Sequence, residues 1–230
     1  MAYMTHDDID TAIRKEMGME QEEFVSAPEM IGYHNEALRK AQSIICRLYE
    51  DYFLKSSTIT LVNGTSEYDL PSDIYVSKIR KIMYVKNSYI YPVRRLRGEF
   101  KLNDIEHINE FGDTNLYTYY LRNDSAAAGV KLVLAPASYE DGTYIKIWYI
   151  RDINVIAGDS DISDTPEFMD YIMEFMRLKC RIKEHDQIAI NASMASLNDL
   201  KVDMKETLVE KVPDYDNLIP PDRTFYDEMA

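Results

Sequence analysis

The order of apolar and polar residues predicts helices towards both ends of the chain and strands between them. The first helical pattern covers residues 7–17, where Ile9, Ile13 and Met17 recur at intervals of four and so share one helix face. Gly18 follows directly and is expected to end this short helix.

A second helical pattern is longer and stronger. Residues 26–29, Ser-Ala-Pro-Glu, have the spacing of a capping box, with a proline that a first helical turn tolerates. A long amphipathic helix is therefore expected from residue 27 to about residue 52, with Gln42 away from its apolar face. That face is predicted to consist of Ile31, Leu38, Ala41, Ile45, Leu48 and Tyr52.

The middle of the chain changes from helical to alternating periodicity, which is typical of strands. Asn63-Gly64 is a turn sequence between two such segments, and residues 99–110 could form a short helix. The predicted strands are residues 58–62, 79–86, 89–96, 116–122, 130–134 and 143–150.

The C-terminal part returns to helical spacing. Thr165-Pro166 is predicted to begin one helix, and His185-Asp186 a turn, with Asp186 capping a last helix that ends near Lys211. The apolar face of the first of these helices is Phe168, Met169, Ile172, Met173, Phe175, Met176, Cys180 and Ile182. The inward residues of the second are Ile190, Met194, Leu197, Met204 and Leu208.

These elements predict an α+β fold with an N-terminal long helix, a central antiparallel β-domain and a C-terminal helical hairpin with an extended tail. The expected divisions are an N-terminal extension with a short helix (1–26), a helical domain (27–56 and 164–212), a β-domain (57–152), an acidic linker (153–163) and the tail (213–230).

Net charge narrows the range of partners. The 230 residues carry a net charge of −14, so the chain as a whole repels nucleic acid and anionic membranes. Residues 74–101 are an exception, with eight bases and one acid, whereas residues 1–30 contain eight acids and two bases. Opposite charges at separate places suit a subunit that meets copies of itself, so the basic segment is expected to face an acidic neighbouring subunit; DNA phosphates are the alternative.

No segment has the ~20 apolar residues that span a bilayer, and the first residues do not resemble a secretion signal. Function is therefore expected inside a cell, or in a particle assembled there.

The linear sequence shows no catalytic or metal-binding motif. There is no phosphate-binding glycine loop and no nucleophile elbow, and the four histidines lie too far apart in the sequence for a metal-binding pair. We therefore predict no catalytic residue, no metal ligand and no cofactor. Cys46 and Cys180 are expected to be buried free thiols, with a disulfide as the alternative. The acidic run at residues 159–164 is interpreted as a solvated linker that caps the next helix, with calcium ligation as the alternative.

Tyrosine is concentrated in the predicted β-domain, where residues 68–149 contain eleven of the 18 tyrosines. Because a tyrosine ring packs while its hydroxyl reaches water, part of this domain's surface could be an interface; a tyrosine-rich sheet facing solvent is the alternative.

The tail at residues 213–230 has a different composition, with three prolines and five acids against one base. A tail with apolar anchors that cannot fold alone is expected to dock on a partner, and the alternative is a frayed terminus. The anchors are Tyr215, Leu218, Ile219, Phe225 and Tyr226.

The segment that follows the Asn63-Gly64 turn contains a Tyr-x-Leu-Pro-x-Asp pattern: Tyr68, Leu70, Pro71 and Asp73. Tyr68 and Leu70 alternate onto one side, Pro71 ends the strand, and Asp73 can accept hydrogen bonds from the following backbone amides. With the long helix before it, this segment resembles the head-to-tail adaptor proteins of tailed bacteriophages.

Two further features strengthen the resemblance, which covers most of residues 28–211. Residues 129–136 form an apolar strand ending in proline, and residues 143–149 form a strand ending in tyrosine, like a strand pair of that family. The helical hairpin with its polar turn at residues 184–186 is the third feature.

The resemblance implies a structural virion protein without cofactor or turnover, located at the head–tail junction and assembled in the cytoplasm of the bacterial host. It implies a homo-oligomeric ring, commonly of twelve subunits, which docks on the portal protein, contacts a tail protein below and encloses DNA as non-specific cargo, with no membrane partner. The candidate contacts with other subunits or the portal are Arg94, Arg95, Arg97 and the tail anchors Tyr215, Leu218, Ile219, Phe225 and Tyr226.

The sequence is compatible with two other functions. A virion-associated hydrolase of cell-wall glycan would need a cleft with two carboxylates, which the sequence does not display. Another ring or tail-tube component of the same particle would share nearly all of the features above.

Overall fold

The computed structural model describes residues 4–19, 24–86, 89–96, 117–124, 129–135, 137 and 143–211. The chain forms two compact units, one from Met1–Glu50 with Ile153–Ala230 and the other from Asp51–Asp152. We call them the helical unit and the β unit. Their elements confirm the predicted α+β fold: helices at the N-terminal end, two four-stranded sheets in the middle and a C-terminal pair of helices.

The described part of the helical unit contains four α-helices. They are α1 (His6–Glu16), α2 (Ala27–Leu48), α3 (Met169–Glu184, preceded by a 3-10 turn at Pro166–Phe168) and α4 (Gln187–Lys211). The capping box predicted for α2 is present, because Glu29 accepts hydrogen bonds from the backbone and hydroxyl of Ser26 at 2.9 and 3.0 Å. Thr5 and Asp8 form a second capping box on α1.

The apolar face predicted for α2 was partly wrong. The helix ends at Leu48, which is exposed, and a 3-10 turn at Glu50–Phe53 follows. The buried side also includes Met30, His34 and Gln42, because α1, α3 and α4 all pack against this helix. Its buried residues are Met30, His34, Ala37, Leu38, Ala41, Gln42, Ile45 and Cys46.

The C-terminal helices form the predicted hairpin. His185 ends α3 in a left-handed conformation (φ 62°), and the Asp186 carboxylate accepts hydrogen bonds from the backbone amides of Ile188 and Ala189, both at 3.1 Å. Two expected inward residues are largely exposed, Ile182 at 45% and Met194 at 52%.

The acidic linker was predicted to be solvated, but part of it is buried. Ile156 is buried, and its backbone amide and carbonyl each bind the Asn35 side chain of α2 at 2.8 Å. The carbonyls of Asp159 and Asp161 accept hydrogen bonds from the first amides of α1, at 3.0 and 2.9 Å. Asp161 Oδ2 accepts hydrogen bonds from amides within the linker, at 2.7 and 3.0 Å. The linker therefore packs on α1 and α2.

The described part of the β unit contains two sheets. Its strands are β1 (Leu54–Thr60), β2 (Glu67–Asp69), β3 (Ile74–Lys86), β4 (Tyr89–Pro92), β5 (Arg94–Arg95), β6 (Thr118–Asp124), β7 (Gly129–Ala135) and β8 (Tyr144–Arg151). The strand orders are β1-β8-β3-β4 and β2-β7-β6-β5. All pairs are antiparallel except β5 with β6, which is parallel. The short helix considered for residues 99–110 lies outside the described residues.

Both sheets contribute to one hydrophobic core, and tyrosine is a major part of it. The buried tyrosines are Tyr68, Tyr84, Tyr117, Tyr119 and Tyr149. The rings of Tyr84 and Tyr117 lie 4.6 Å apart between centroids, a distance at which aromatic pairs attract. Burial in the core, rather than a surface role, therefore accounts for these five tyrosines.

Strand β3 begins with an irregularity that the sequence did not reveal. Its register with β8 shifts between Ile74 and Ile79, and Val76 (φ 48°) and Ser77 (φ 54°) are left-handed. Because a bulge breaks the two-residue alternation of side chains, the pattern predicted β3 only from residue 79.

The buried face of α2 can be tested by comparing two isoleucines of the helical unit. Ile45→Ala removes a fully buried side chain and is expected to lower the free energy of unfolding by about 2–4 kcal/mol, whereas Ile182→Ala is expected to cost at most about 1 kcal/mol. Urea unfolding followed by circular dichroism at the helix wavelength measures both values. Equal losses would show that the burial described for α2 is wrong.

Candidate interaction surfaces

The Tyr-x-Leu-Pro-x-Asp segment is part of the β unit's core. Tyr68 is buried, and its hydroxyl donates a hydrogen bond to the Thr65 carbonyl at 2.9 Å and accepts one from the Val62 amide at 3.2 Å. These bonds close the turn that contains Gly64, whose φ of +76° favours glycine. Leu70 packs against the same core.

Asp73 connects two strands of the first sheet. Its carboxylate accepts hydrogen bonds from Lys55 Nζ on β1 and from the Tyr149 hydroxyl on β8, both at 2.7 Å. The prediction that it would bind the following amides was wrong, because the Ile74 amide donates to the Pro71 carbonyl at 3.2 Å instead. Partial burial acts to raise the pKa of Asp73, but the hydrogen bonds from Lys55 and Tyr149 outweigh it and the pKa is lowered. The segment therefore joins strands of the β unit.

Two arginines that the sequence proposed as contacts, Arg94 and Arg95, lie on a sheet edge. Arg94 and Arg95 form β5, the last strand of the second sheet, and both are exposed. Neither forms an ion pair with any residue that the structure describes. We call this pair the basic edge. Arg97 lies outside the described residues.

Another edge strand presents apolar side chains that the sequence analysis did not single out. Tyr89 and Ile90 of β4 are 67% and 62% exposed, at the edge of the first sheet. Unpaired backbone groups and apolar side chains on an edge strand favour contact with another protein.

The tail anchors predicted from the sequence lie outside the described residues. They are Tyr215, Leu218, Ile219, Phe225 and Tyr226, all beyond the end of α4 at Lys211.

Helix α4 has a second apolar stripe, which the sequence analysis also missed. Its members recur every seven residues and are all exposed: Ile188, Ala195, Val202 and Val209. The stripe lies about 140–160° around the helix from the buried residues Leu197 and Met204, since each residue turns the helix by about 100°. Seven-residue spacing could have revealed it, because this is the repeat by which helices of different chains pack together. We call it the outer stripe.

Two histidines are buried side by side in the helical unit. Nδ1 of His6 lies 3.0 Å from Nδ1 of His34, so a single proton can bridge the two rings, and His34 Nε2 has no partner among the described residues. Burial lowers the pKa of His34 to about 4, and the charge of His6 adds to this effect.

Burial also lowers the pKa of His6, although nearby carboxylates oppose the change. These carboxylates belong to Asp7 and Asp10 of α1 and to Asp159 and Asp161 of the linker. The pair therefore joins α1 to α2, and its burial favours the neutral form of both imidazole rings.

The cysteines are free and buried, as the sequence predicted. Burial raises the pKa of the Cys180 thiol to about 11, so it remains protonated at neutral pH and packs 3.7 Å from the sulfur of Met30. In the part of the chain that the structure describes, no three histidine, cysteine or acidic side chains are placed to bind a metal ion. None of the described helices is both long and apolar enough to cross a membrane.

The exposed features of this fold are sheet edges and an apolar helix face, which are typical of a structural protein that works by contacting other proteins. Comparison of the sequence with known families supports this class of protein and identifies the family. The chain belongs to the SU10 adaptor protein family, whose model matches residues 4–207. It is thus a phage adaptor protein, and the resemblance found in the sequence is confirmed. Among curated proteins, none matches the chain.

The role of Asp73 can be tested against a neighbouring aspartate. Asp73→Ala leaves the buried Tyr149 hydroxyl without its acceptor and is expected to lower the free energy of unfolding by about 1–3 kcal/mol. Asp69→Ala breaks only the ion pair of a largely exposed carboxylate with Lys131 and is expected to cost less than about 1 kcal/mol. Trp148, the single tryptophan, lies on β8. Its fluorescence therefore reports unfolding of the β unit in urea. Similar losses for both variants would contradict the role of Asp73 in joining β1 and β8.

The histidine pair predicts that acid destabilises the helical unit. The folded-state pKa of His34 lies below the unfolded value of 6.5, so the unfolded chain binds the proton first as the pH falls. The contribution of His34 to stability is therefore complete above about pH 6.5 and is lost towards pH 4, by roughly 1–3 kcal/mol. Urea midpoints from circular dichroism between pH 7.5 and 4.5 should fall more steeply in the unmodified protein than in His34→Asn.

The matched control is His185→Asn, which changes an exposed histidine at the hairpin turn. It is expected to keep the pH dependence of the unmodified protein. If His34→Asn also keeps that dependence, the buried pair is not the source of the acid sensitivity.

Proposed function

We propose that this adaptor protein is a subunit of a ring that docks on the portal of a tailed phage, links it to the tail and encloses the channel for DNA. The membership of residues 4–207 in an adaptor family is the observation that carries the proposal. The arrangement of charge and apolar surface in the two units supports it.

The first support is the outer stripe of α4. Four exposed apolar residues at seven-residue intervals cannot be buried by the chain's own hairpin, because α3 packs against the opposite part of the helix. A helix of a neighbouring subunit, packed along the stripe, would remove these side chains from water. We assign the stripe to contacts between subunits of the ring.

The second support is the separation of charge. The basic edge has no ion pair among the described residues, whereas residues 1–30 contain six more acids than bases, two of which, Glu16 and Glu29, pair with α3. A ring made by repeated contact of one surface with a different surface brings such opposite charges together at every interface. We assign the basic edge, with Arg97, to an acidic neighbouring subunit or the portal.

The tail at residues 213–230 is the candidate contact with a partner protein. Its aromatic and aliphatic residues alternate with acids and prolines, a composition that binds in extended form. A virion-associated glycan hydrolase is a poorer account of the chain, because the matching family is an adaptor family.

Mutation of the outer stripe tests the ring directly. Val202→Asp with Val209→Asp places two charges on the stripe and is expected to abolish assembly on the phage's portal protein, because charge cannot be buried between apolar helices without a partner. Sedimentation of the adaptor–portal mixture measures the loss. Val155→Asp is the matched control, since this valine is equally exposed, at 59%, but lies on the linker.

Two outcomes are informative. If the double variant loses assembly while Val155→Asp retains it, and both show the circular dichroism of the unmodified protein, the stripe is a subunit interface. If the double variant still forms the same complex, the stripe has no role in assembly.

A further inference from the structure

A groove of about 420 Å³ lies in the helical unit among α2, α3 and α4. Its floor is apolar and aromatic: Ile44, Tyr171, Phe175, Leu178, Met194 and Leu197. Met194 was expected to face the core but is half exposed, because it borders this open groove. A groove of this kind accepts large apolar side chains from a bound segment.

The rim of the groove is basic, through Lys40, Arg47 and Lys201. None of the three forms an ion pair within the described part of the chain. Elsewhere in the same unit, cations of α3 do have acidic partners, as in the pairs of Lys179 with Glu36 and of Lys183 with Glu29. In a chain with a net charge of −14, three cations left unpaired around one apolar groove favour an acidic, apolar ligand.

The chain itself contains a segment with this chemistry. Residues 212–230 carry five acids and one base, together with the five tail anchors. The apolar anchors are complementary to the apolar floor, and the negative charges of the acids are complementary to the basic rim. The prolines at positions 213, 220 and 221 disfavour helix, so the segment can lie in the groove in extended form.

The tail can also reach the groove of its own chain. Helix α4 ends at Lys211, and its groove residues, Met194 to Lys201, lie about 15–26 Å back along the helix at 1.5 Å per residue. Six extended residues span up to about 20 Å, so the anchors from Leu218 onwards are within range. A tethered segment is present at an effective concentration in the millimolar range, which favours the chain's own tail over that of a second copy.

We propose that the groove between α2, α3 and α4 is the intramolecular docking site of residues 212–230. The tail anchors cover the apolar floor, and the tail acids pair with Lys40, Arg47 and Lys201. This contact is made by the free chain and does not depend on the adaptor ring. A portal or tail protein that binds the same tail must displace it from the groove.

Zero-length crosslinking of the full-length protein tests the contact. A carbodiimide joins lysine to a carboxylate only when the two are in contact, so tail carboxylates are expected to become linked to Lys40 and Lys201. The reaction is run on an equal mixture of ¹⁵N-labelled and unlabelled protein and read by mass spectrometry. Links within one isotope form are expected, and they should persist on tenfold dilution.

Every other crosslinking outcome overturns the proposal. Links that join the two isotope forms would show that a second copy supplies the tail. The absence of links from Lys40 and Lys201 to the tail would show that the groove has a different occupant or none.

Charge reversal provides a second, independent readout in the full-length chain. Lys40→Glu with Lys201→Glu is expected to speed cleavage of the tail at its aromatic residues by chymotrypsin about fivefold, since two attractive pairs become repulsive. Lys205→Glu is the matched control, because Lys205 is an exposed lysine of α4 that does not line the groove, and it should leave the rate unchanged. Equal rates for both variants would contradict the proposal, and unchanged circular dichroism would confirm that each variant is folded.

Discussion

The helical unit depends on the packing of α3, because this helix contacts all three of the others. Its Cys180 lies against Met30 of α2, 150 residues away in the sequence. Its Arg177 pairs with Glu16 of α1 at 2.6 Å, and its Arg181 binds Ser193 of α4. Since α1 and α2 precede the β unit and α3 and α4 follow it, neither end of the chain can build this core alone. The whole intervening segment must be closed as a loop before the contacts form, at an entropic cost that grows only slowly with loop length.

The same packing explains which surfaces remain for assembly. Helix α3 is covered on several sides, and its cations pair with acids of α1 and α2. The clearest case is Glu29, whose pKa is lowered to about 2 by its hydrogen bond with Lys183 and those with Ser26. Helix α4 is different, since one side packs on α3 and α2 while its outer stripe remains exposed. An adaptor subunit needs this division between a core that holds the chain together and surfaces that other subunits can cover.

Much of this organisation could be predicted from the sequence, because the signals are local. The Ser26–Glu29 capping box, the Asp186 cap and the strand patterns of β6, β7 and β8 depend on residues close together in the chain. The sequence could not show which side of α2 would be covered, since tertiary contacts with α1, α3 and α4 decide that. For the same reason the burial of His34 and Gln42 was missed. Asp73 was assigned to the wrong partners because Lys55 and Tyr149 approach it only in the folded sheet.

The interaction surfaces were less predictable than the fold. The basic edge was visible as a local excess of arginine, but its position at the end of a sheet depends on strand order. The outer stripe of α4 was missed because only the residues expected to face inward were sought along this helix. When one helix carries two apolar stripes, the sequence does not tell which stripe packs inside the subunit. Only the tertiary contacts of the helix distinguish them.

The most direct test of the adaptor account is the mass and negative-stain image of the unmodified protein mixed with the phage's portal protein. The account predicts a ring seated on the portal, with an added mass equal to a whole number of 26.8-kDa chains, about 320 kDa for twelve. A protein that remains monomeric and never associates with the portal would contradict it.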